Sequence, residues 1–176
     1  GATGRIVQGE ANINLEASAR GPLVVGGAQL AGAIDATGRI SGPIARPTVR
    51  AQAQLSSFDA GGIALANPRL AFSLAPNGRG YAGRAAIDGQ ALGHPLQATS
   101  NLAIADGAFI LTGLQAQLAG LNAEGNARFN ADGAHADLAL TGALDNLARG
   151  LSGQIQGELA LMPDALTLNA QLADAR

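Results

Sequence analysis

Between its turns, this chain alternates apolar and polar side chains with a period of two. Ala11, Ile13, Leu15 and Ala17 interleave with Asn12, Asn14, Glu16 and Ser18. Val49, Ala51, Ala53 and Leu55 interleave with Arg50, Gln52, Gln54 and Ser56. The same period runs through Leu70/Phe72/Leu74, Leu114/Ala116/Leu118, Leu121/Ala123/Ala127/Phe129 and Ala134/Ala136/Leu138/Leu140. It returns in Ile155/Leu159/Leu161 and in Leu166/Leu168/Ala170/Leu172. A helix repeats every 3.6 residues, whereas strand side chains point to opposite faces in turn, so a period of two specifies strand. Repeated along the chain, it specifies a sheet with one apolar and one wetted face. A parallel sheet buried on both sides would read instead as continuous apolar runs.

Turn signals separate these segments. Asn77-Gly78 is the strongest hairpin dipeptide, with Asp88-Gly89, Asp106-Gly107 and Asp132-Gly133 close behind. The prolines fall mainly between the patterned segments, as expected of a residue that removes a ladder hydrogen bond. One stretch has helical spacing: Leu144, Leu147 and Leu151, with Gly150 placed to end a turn. The spacing predicts a short helix or a loop over 144–151. No composition shift divides the chain, and 1–176 is expected to be a single β-rich repeat module. The strands recur loosely, at about the 8–12 residue spacing of meandering β proteins. The opening Gly1-Ala2-Thr3-Gly4 leads to the expectation that this is an internal slice of a longer protein.

Composition narrows the function classes. Apolar residues make up 47% and the net charge is −2, which is not a disordered composition. Aromatics are only 3%, so the apolar face is built from small side chains. All 11 basic residues are Arg, and they do not cluster along the sequence. That excludes the basic footprint of a nucleic-acid binder and a polybasic membrane patch. Without Cys there is neither a disulfide framework nor a thiolate metal site. No run approaches the roughly 18–20 apolar residues of a spanning helix.

Catalytic chemistry has little to build on. His94 lies in Gly93-His94-Pro95, which reads as a turn, and His135 has the polar parity of its strand. Neither has a second ligand at metal-binding spacing. Asp88, Asp106 and Asp132 precede Gly and read as turn residues, while Asp137 and Glu158 have the polar parity of their strands. Gly32, Gly83, Gly113, Gly125 and Gly157 fall within strands, and no phosphate-loop spacing leads into a helix. They predict bulges, bends and close backbone approach in a strongly curved sheet. The expectation is no enzyme, no cofactor and no metal.

Two longer patterns add a resemblance. Gly38-Arg39-Ile40-Ser41-Gly42-Pro43-Ile44-Ala45-Arg46-Pro47-Thr48-Val49-Arg50-Ala51 is followed by Asp59-Ala60-Gly61-Gly62-Ile63-Ala64-Leu65-Ala66-Asn67-Pro68-Arg69-Leu70-Ala71-Phe72. This resembles the repeat unit of the TamB (translocation and assembly module) family: Gly-x-Leu/Ile-x-Gly, Pro, an alternating strand and a Gly-led inner strand. Leu111 to Leu161 is similar to a further stretch. There Leu114 to Arg128 resembles a family strand pair, and Asp145-Asn146-Leu147 leads to Leu151-Ser152-Gly153-Gln154-Ile155-Gln156-Gly157. Related repeats occur across the AsmA-like and bridge-like lipid transfer proteins. The resemblance implies an all-β fold: a long curled antiparallel sheet, U-shaped like a taco, with an apolar concave face and a polar outer face. It implies a periplasmic segment of a protein anchored in the bacterial inner membrane. Its implied partners are phospholipid acyl chains and, through parts not present here, a TamA-like outer-membrane β-barrel assembly partner. The implied work is phospholipid transport between membranes, support of outer-membrane protein assembly, or both.

An apolar face has to be covered, by a second sheet or by a bound apolar ligand. The residues alone favour a sandwich; with the resemblance, the expectation is a lipid groove. Its expected lining is Ile13, Leu15, Val49, Leu55, Leu70, Phe72, Leu74, Leu114, Leu118, Phe129, Leu138, Leu140, Leu159, Leu161, Leu166 and Leu168. These side chains would contact acyl chains and leave head groups in water. The alternatives are a structural β-solenoid or adhesin segment with a closed dry core, and a chaperone-like surface whose sheet edge pairs with unfolded strands. Exposed sheet edges also predict self-association.

Overall fold

Short turns leave each alternating segment one convenient partner, the next segment in sequence. The computed structural model describes residues 1–20, 23–25, 28–60, 63–78, 80–145, 152–163 and 165–174, with the side chains of 23–25, 28–32, 58–60 and 63 excepted. It is a 13-stranded antiparallel sheet. The strands are β1 (Ala2–Val7), β2 (Glu10–Arg20), β3 (Leu23–Val25), β4 (Ala28–Pro43), β5 (Thr48–Ala60), β6 (Ile63–Asn77) and β7 (Gly80–Ala91). They continue with β8 (His94–Ala105), β9 (Ala108–Leu118), β10 (Leu121–Asn130), β11 (Gly133–Ala143), β12 (Gln154–Met162) and β13 (Ala165–Ala173). The sheet follows chain order from β1 to β13. The exception is β3, which pairs with the start of β4 while β2 pairs with the rest of it. The sheet is not closed into a barrel.

The turns show how this meander is made. Gln8-Gly9, Leu92-Gly93, Asp106-Gly107 and Ala119-Gly120 are two-residue loops with positive φ at both positions. That is the type I′ geometry, whose twist matches the flanking strands. At Ala131-Asp132 the side chains close the loop: the Asp132 amide donates to Asn130 Oδ1 at 3.1 Å, and Asn130 Nδ2 donates to Asp132 Oδ2 at 3.1 Å.

Several sequence expectations need correction. Asp88-Gly89 is not a turn but lies within β7, and the chain reverses at Leu92-Gly93 instead. Gly89 answers a packing need: a Cβ there would sit 3.1 Å from Pro68 Cα. Pro68 itself lies inside β6, and Pro76 and Pro95 are also in strands. Pro68 is tolerated because Asn67 adopts φ 49 and the register against β7 shifts between Ala66 and Arg69. The bulge takes the missing donor out of the ladder. Most of the helix or loop expected over 144–151 lies outside the described residues; Leu144 is buried, and its amide donates to Gly153 O at 2.9 Å.

A second bulge governs side-chain direction. On β9, the register shifts against both β8 and β10 around Thr112 and Gly113, where Gly113 takes φ 59. Because strand side chains alternate, one extra residue reverses parity. Phe109 and Leu111 therefore join the same side as Leu114, Ala116 and Leu118.

Among the described residues, the main path of the sheet ends on two unpaired edges, β1 and β13. On β13, Leu166 and Leu168 are 67% and 54% exposed. An edge of this kind templates pairing with another chain. Replacing both leucines with Lys is expected to lower concentration-dependent association in analytical ultracentrifugation while the far-UV circular dichroism stays unchanged. Undiminished association would place the contact on another edge.

Candidate functional site

Register carries a side-chain position across the sheet from one strand to the next. One ladder of paired residues crosses every strand of the main path: Gly4, Ile13, Ile40, Val49, Leu74, Gly83, Leu102, Leu111, Ala127, Ala136, Leu161 and Leu166. No polar residue interrupts it. A second ladder joins Leu114, Gly125, Leu138, Leu159 and Leu168. A third joins Leu15, Gly38, Ala51, Phe72, Ala85 and Ser100.

These ladders bring the expected lining residues to one side. Ile13 and Leu15 come from β2, Val49 and Leu55 from β5, and Leu70, Phe72 and Leu74 from β6. Leu114 and Leu118 come from β9, Phe129 from β10, Leu138 and Leu140 from β11, Leu159 and Leu161 from β12, and Leu166 and Leu168 from β13. Pairing also adds residues absent from that expectation: Ile34, Ile40, Leu102, Ile104, Phe109 and Leu111. For Phe109 and Leu111 the available signal was Gly113, which interrupts the alternation.

Burial follows the same parity. In β11, Ala134, Ala136, Leu138 and Leu140 are half-buried, while His135, Asp137, Ala139 and Thr141 are exposed. Leu55 and Leu74 are the best covered of the lining residues, at 4% and 7% exposure. Leu55 lies beside the bulges on β4 and β6, where the register shifts at Ala31/Ile34 and at Ala66/Arg69. Elsewhere the side is uneven: Phe72 is 39% and Phe129 43% exposed, whereas Ala91 and Ala127 are buried. Every strand pair with substantial contact is a hydrogen-bonded neighbour, so no second layer of described residues roofs the sheet.

Glycines on this side mark unusually close strand approach. A Cβ at Gly83 would meet Ser73 O, and one at Gly125 would meet Asp137 O and lie 3.0 Å from Leu138 Cα. Side chains are excluded there because the neighbouring backbone occupies their place.

The side offers apolar contact and little acid–base or ligating chemistry. His94 is half-buried at the start of β8, and His135 is exposed on the opposite side, across from Arg128. Among the described residues, no group of three or more His, Asp or Glu is arranged to hold a metal. Among them also, no helix is long and apolar enough to cross a membrane. Ser100 is the polar residue most deeply placed here, at 8% exposure. Compared with known proteins, the chain matches no family model, no curated relative and no solved structure.

Proposed function

We propose that this chain is a segment of a TamB-like, AsmA-like lipid conduit, in which the apolar side of the sheet is a groove for phospholipid acyl chains. The observation that carries the reading is the unbroken apolar ladder from Gly4 to Leu166, along a sheet that no second layer of described residues roofs. At about 4.8 Å per inter-strand step, the main path extends roughly 50 Å, more than the ~30 Å hydrocarbon core of one bilayer leaflet pair. The close approaches at Gly83 and Gly125 are in keeping with a strongly curled sheet.

Small residues suit such a groove. Ala51, Ala85, Ala123 and Ala136 are small and only half-buried, and the leucines between them supply contact. Each methylene removed from water contributes about 0.8 kcal/mol, so contact with a short length of chain gives firm binding without head-group recognition. The reading includes no catalytic step and no cofactor. It places the chain in the periplasm, within a protein anchored in the inner membrane and working with an outer-membrane β-barrel partner. The antiparallel meander lends no support to stacked solenoid rungs around a closed core.

Organic extraction and mass spectrometry of the purified protein test this, beside a soluble control protein. Near-stoichiometric phospholipid is expected in the wild type and loss of it in Phe72→Asp, where the ring is already partly exposed and the fold should persist. A folded wild type free of lipid would refute the groove.

A further inference from the structure

The side of the sheet opposite the leucines carries its own organised feature. Asn14, Arg39, Arg50, Ser73, Arg84 and Asn101 pair in one row across β2 and β4–β8. Scattered in sequence, Arg39, Arg50 and Arg84 thus become neighbours on one ladder. Arg39 stands directly opposite Arg50. Arg84 lies two inter-strand steps beyond Arg50, about 10 Å away and within mutual reach of two long side chains.

A cleft of about 800 Å³ runs beside this row. One wall is the arginine ladder with Ser73 and Asn101; the other is the parallel ladder through Thr37, Gln52 and Thr99. Gly38, Ala51 and Ala85 lie between the walls, and their own side-chain positions belong to the opposite side of the sheet. The lining contains Arg39, Arg50 and Arg84 and no carboxylate. The chain as a whole carries a net charge of −2, so this concentration of positive charge is local.

Like charges directly opposite on neighbouring strands are destabilising. Among the described residues, no carboxylate pairs with Arg39, Arg50 or Arg84. Arg39 is oriented by a neutral group instead, its Nε donating to Asn12 Oδ1 at 3.1 Å. The row is therefore short of an anion, and the cleft beside it has room for one. A carboxylate is satisfied by a single bidentate guanidinium. Guanidinium groups on several strands, with hydroxyl and amide donors facing them, suit a tetrahedral anion that accepts from several directions.

We propose that the Arg39–Arg50–Arg84 cleft is a binding site for a phosphate group, either as the free anion or as the phosphoester of a lipid head group. The site lies on the polar side; Phe72, like Gly38, Ala51 and Ala85, lies between the walls with its side-chain position on the opposite side, so the arginine contacts stand or fall independently of the groove.

The test is isothermal titration calorimetry on the whole chain at constant ionic strength, with chloride as the competing anion. The probes are inorganic phosphate and glycerol 3-phosphate, which carries the head-group phosphate without acyl chains. Saturable binding is expected in the wild type, at least about tenfold weaker in Arg50→Gln/Arg84→Gln. Arg128→Gln, exposed on the same side but outside the cleft, should bind as the wild type does. Tighter binding of glycerol 3-phosphate identifies a head-group site; equal or tighter binding of inorganic phosphate identifies a free-anion site. Thermal unfolding supplies the second readout: phosphate should raise the midpoint of the wild type and not that of the double variant. Absence of saturable binding to either probe overturns the proposal. So does equal binding by the wild type and Arg50→Gln/Arg84→Gln, or an equal loss in Arg128→Gln.

Discussion

Gly125→Val is expected to lose most of the cooperative stability of the sheet. Gly125 sits on β10 between Leu114 of β9 and Leu138 of β11. The position its Cβ would take is already held by Asp137 O, with Leu138 Cα close behind. Both obstacles are backbone, and β11 is tied on its far side to β12 from Ala136 to Ala143. Neither can swing away as a flexible side chain would. A β-branched residue there has to break the β10–β11 pairing or unbend the sheet. Losses above about 4 kcal/mol mark this kind of backbone conflict, and a domain has only about 5–15 kcal/mol in total. With a urea slope of about 2 kcal/mol per molar, the midpoint should fall by roughly 2 M, or the transition should vanish. Gly107→Asn is the matching control. Gly107 has φ 73 and open space around its Cβ position, and Asn tolerates that conformation. It should stay within about 1 kcal/mol of the wild type. A Gly125→Val protein whose midpoint moves by less than about 0.5 M would show that β10 and β11 are not so closely approached.

Strand existence and the face of most side chains were legible in the sequence because both follow from period two. The alternation in Ala134–Leu140 predicts which residues of β11 are shielded, and the burial follows it residue by residue. The turns were legible only in part. Asp106-Gly107 advertises a type I′ turn, but Leu92-Gly93 and Ala119-Gly120 adopt the same geometry with no polar residue at the first position. There the pairing of the flanking strands overrides local preference. Asp88-Gly89 fails in the opposite sense: its glycine serves contact with Pro68, a residue distant in sequence. The polar-side arginine row was illegible for the same reason. Arg39, Arg50 and Arg84 look dispersed along the chain, and only register makes them adjacent.

Leu140→Arg is expected to abolish acyl-chain occupancy while leaving the sheet folded. Leu140 is half-buried on the apolar side, flanked across the sheet by Ala123 of β10 and Gly157 of β12. These small neighbours leave space for a longer side chain, and a guanidinium on a flexible stem can reach water from an unroofed face. The fold therefore tolerates the change. A lipid chain does not, because it must give up contact with Leu140 and skirt a charge in the middle of its path. Losing contact over three or four methylenes costs about 2–3 kcal/mol, a reduction in occupancy on the order of a hundredfold. In a vesicle-to-vesicle transfer assay the variant should approach the protein-free rate, with circular dichroism and urea midpoint close to the wild type. Ala139→Arg, one residue away and on the polar side, should transfer normally. The pair separates a path along one face from a general effect of added charge: equal transfer by both variants would remove Leu140 from the conduit, and equal loss would place the lipid on neither face in particular.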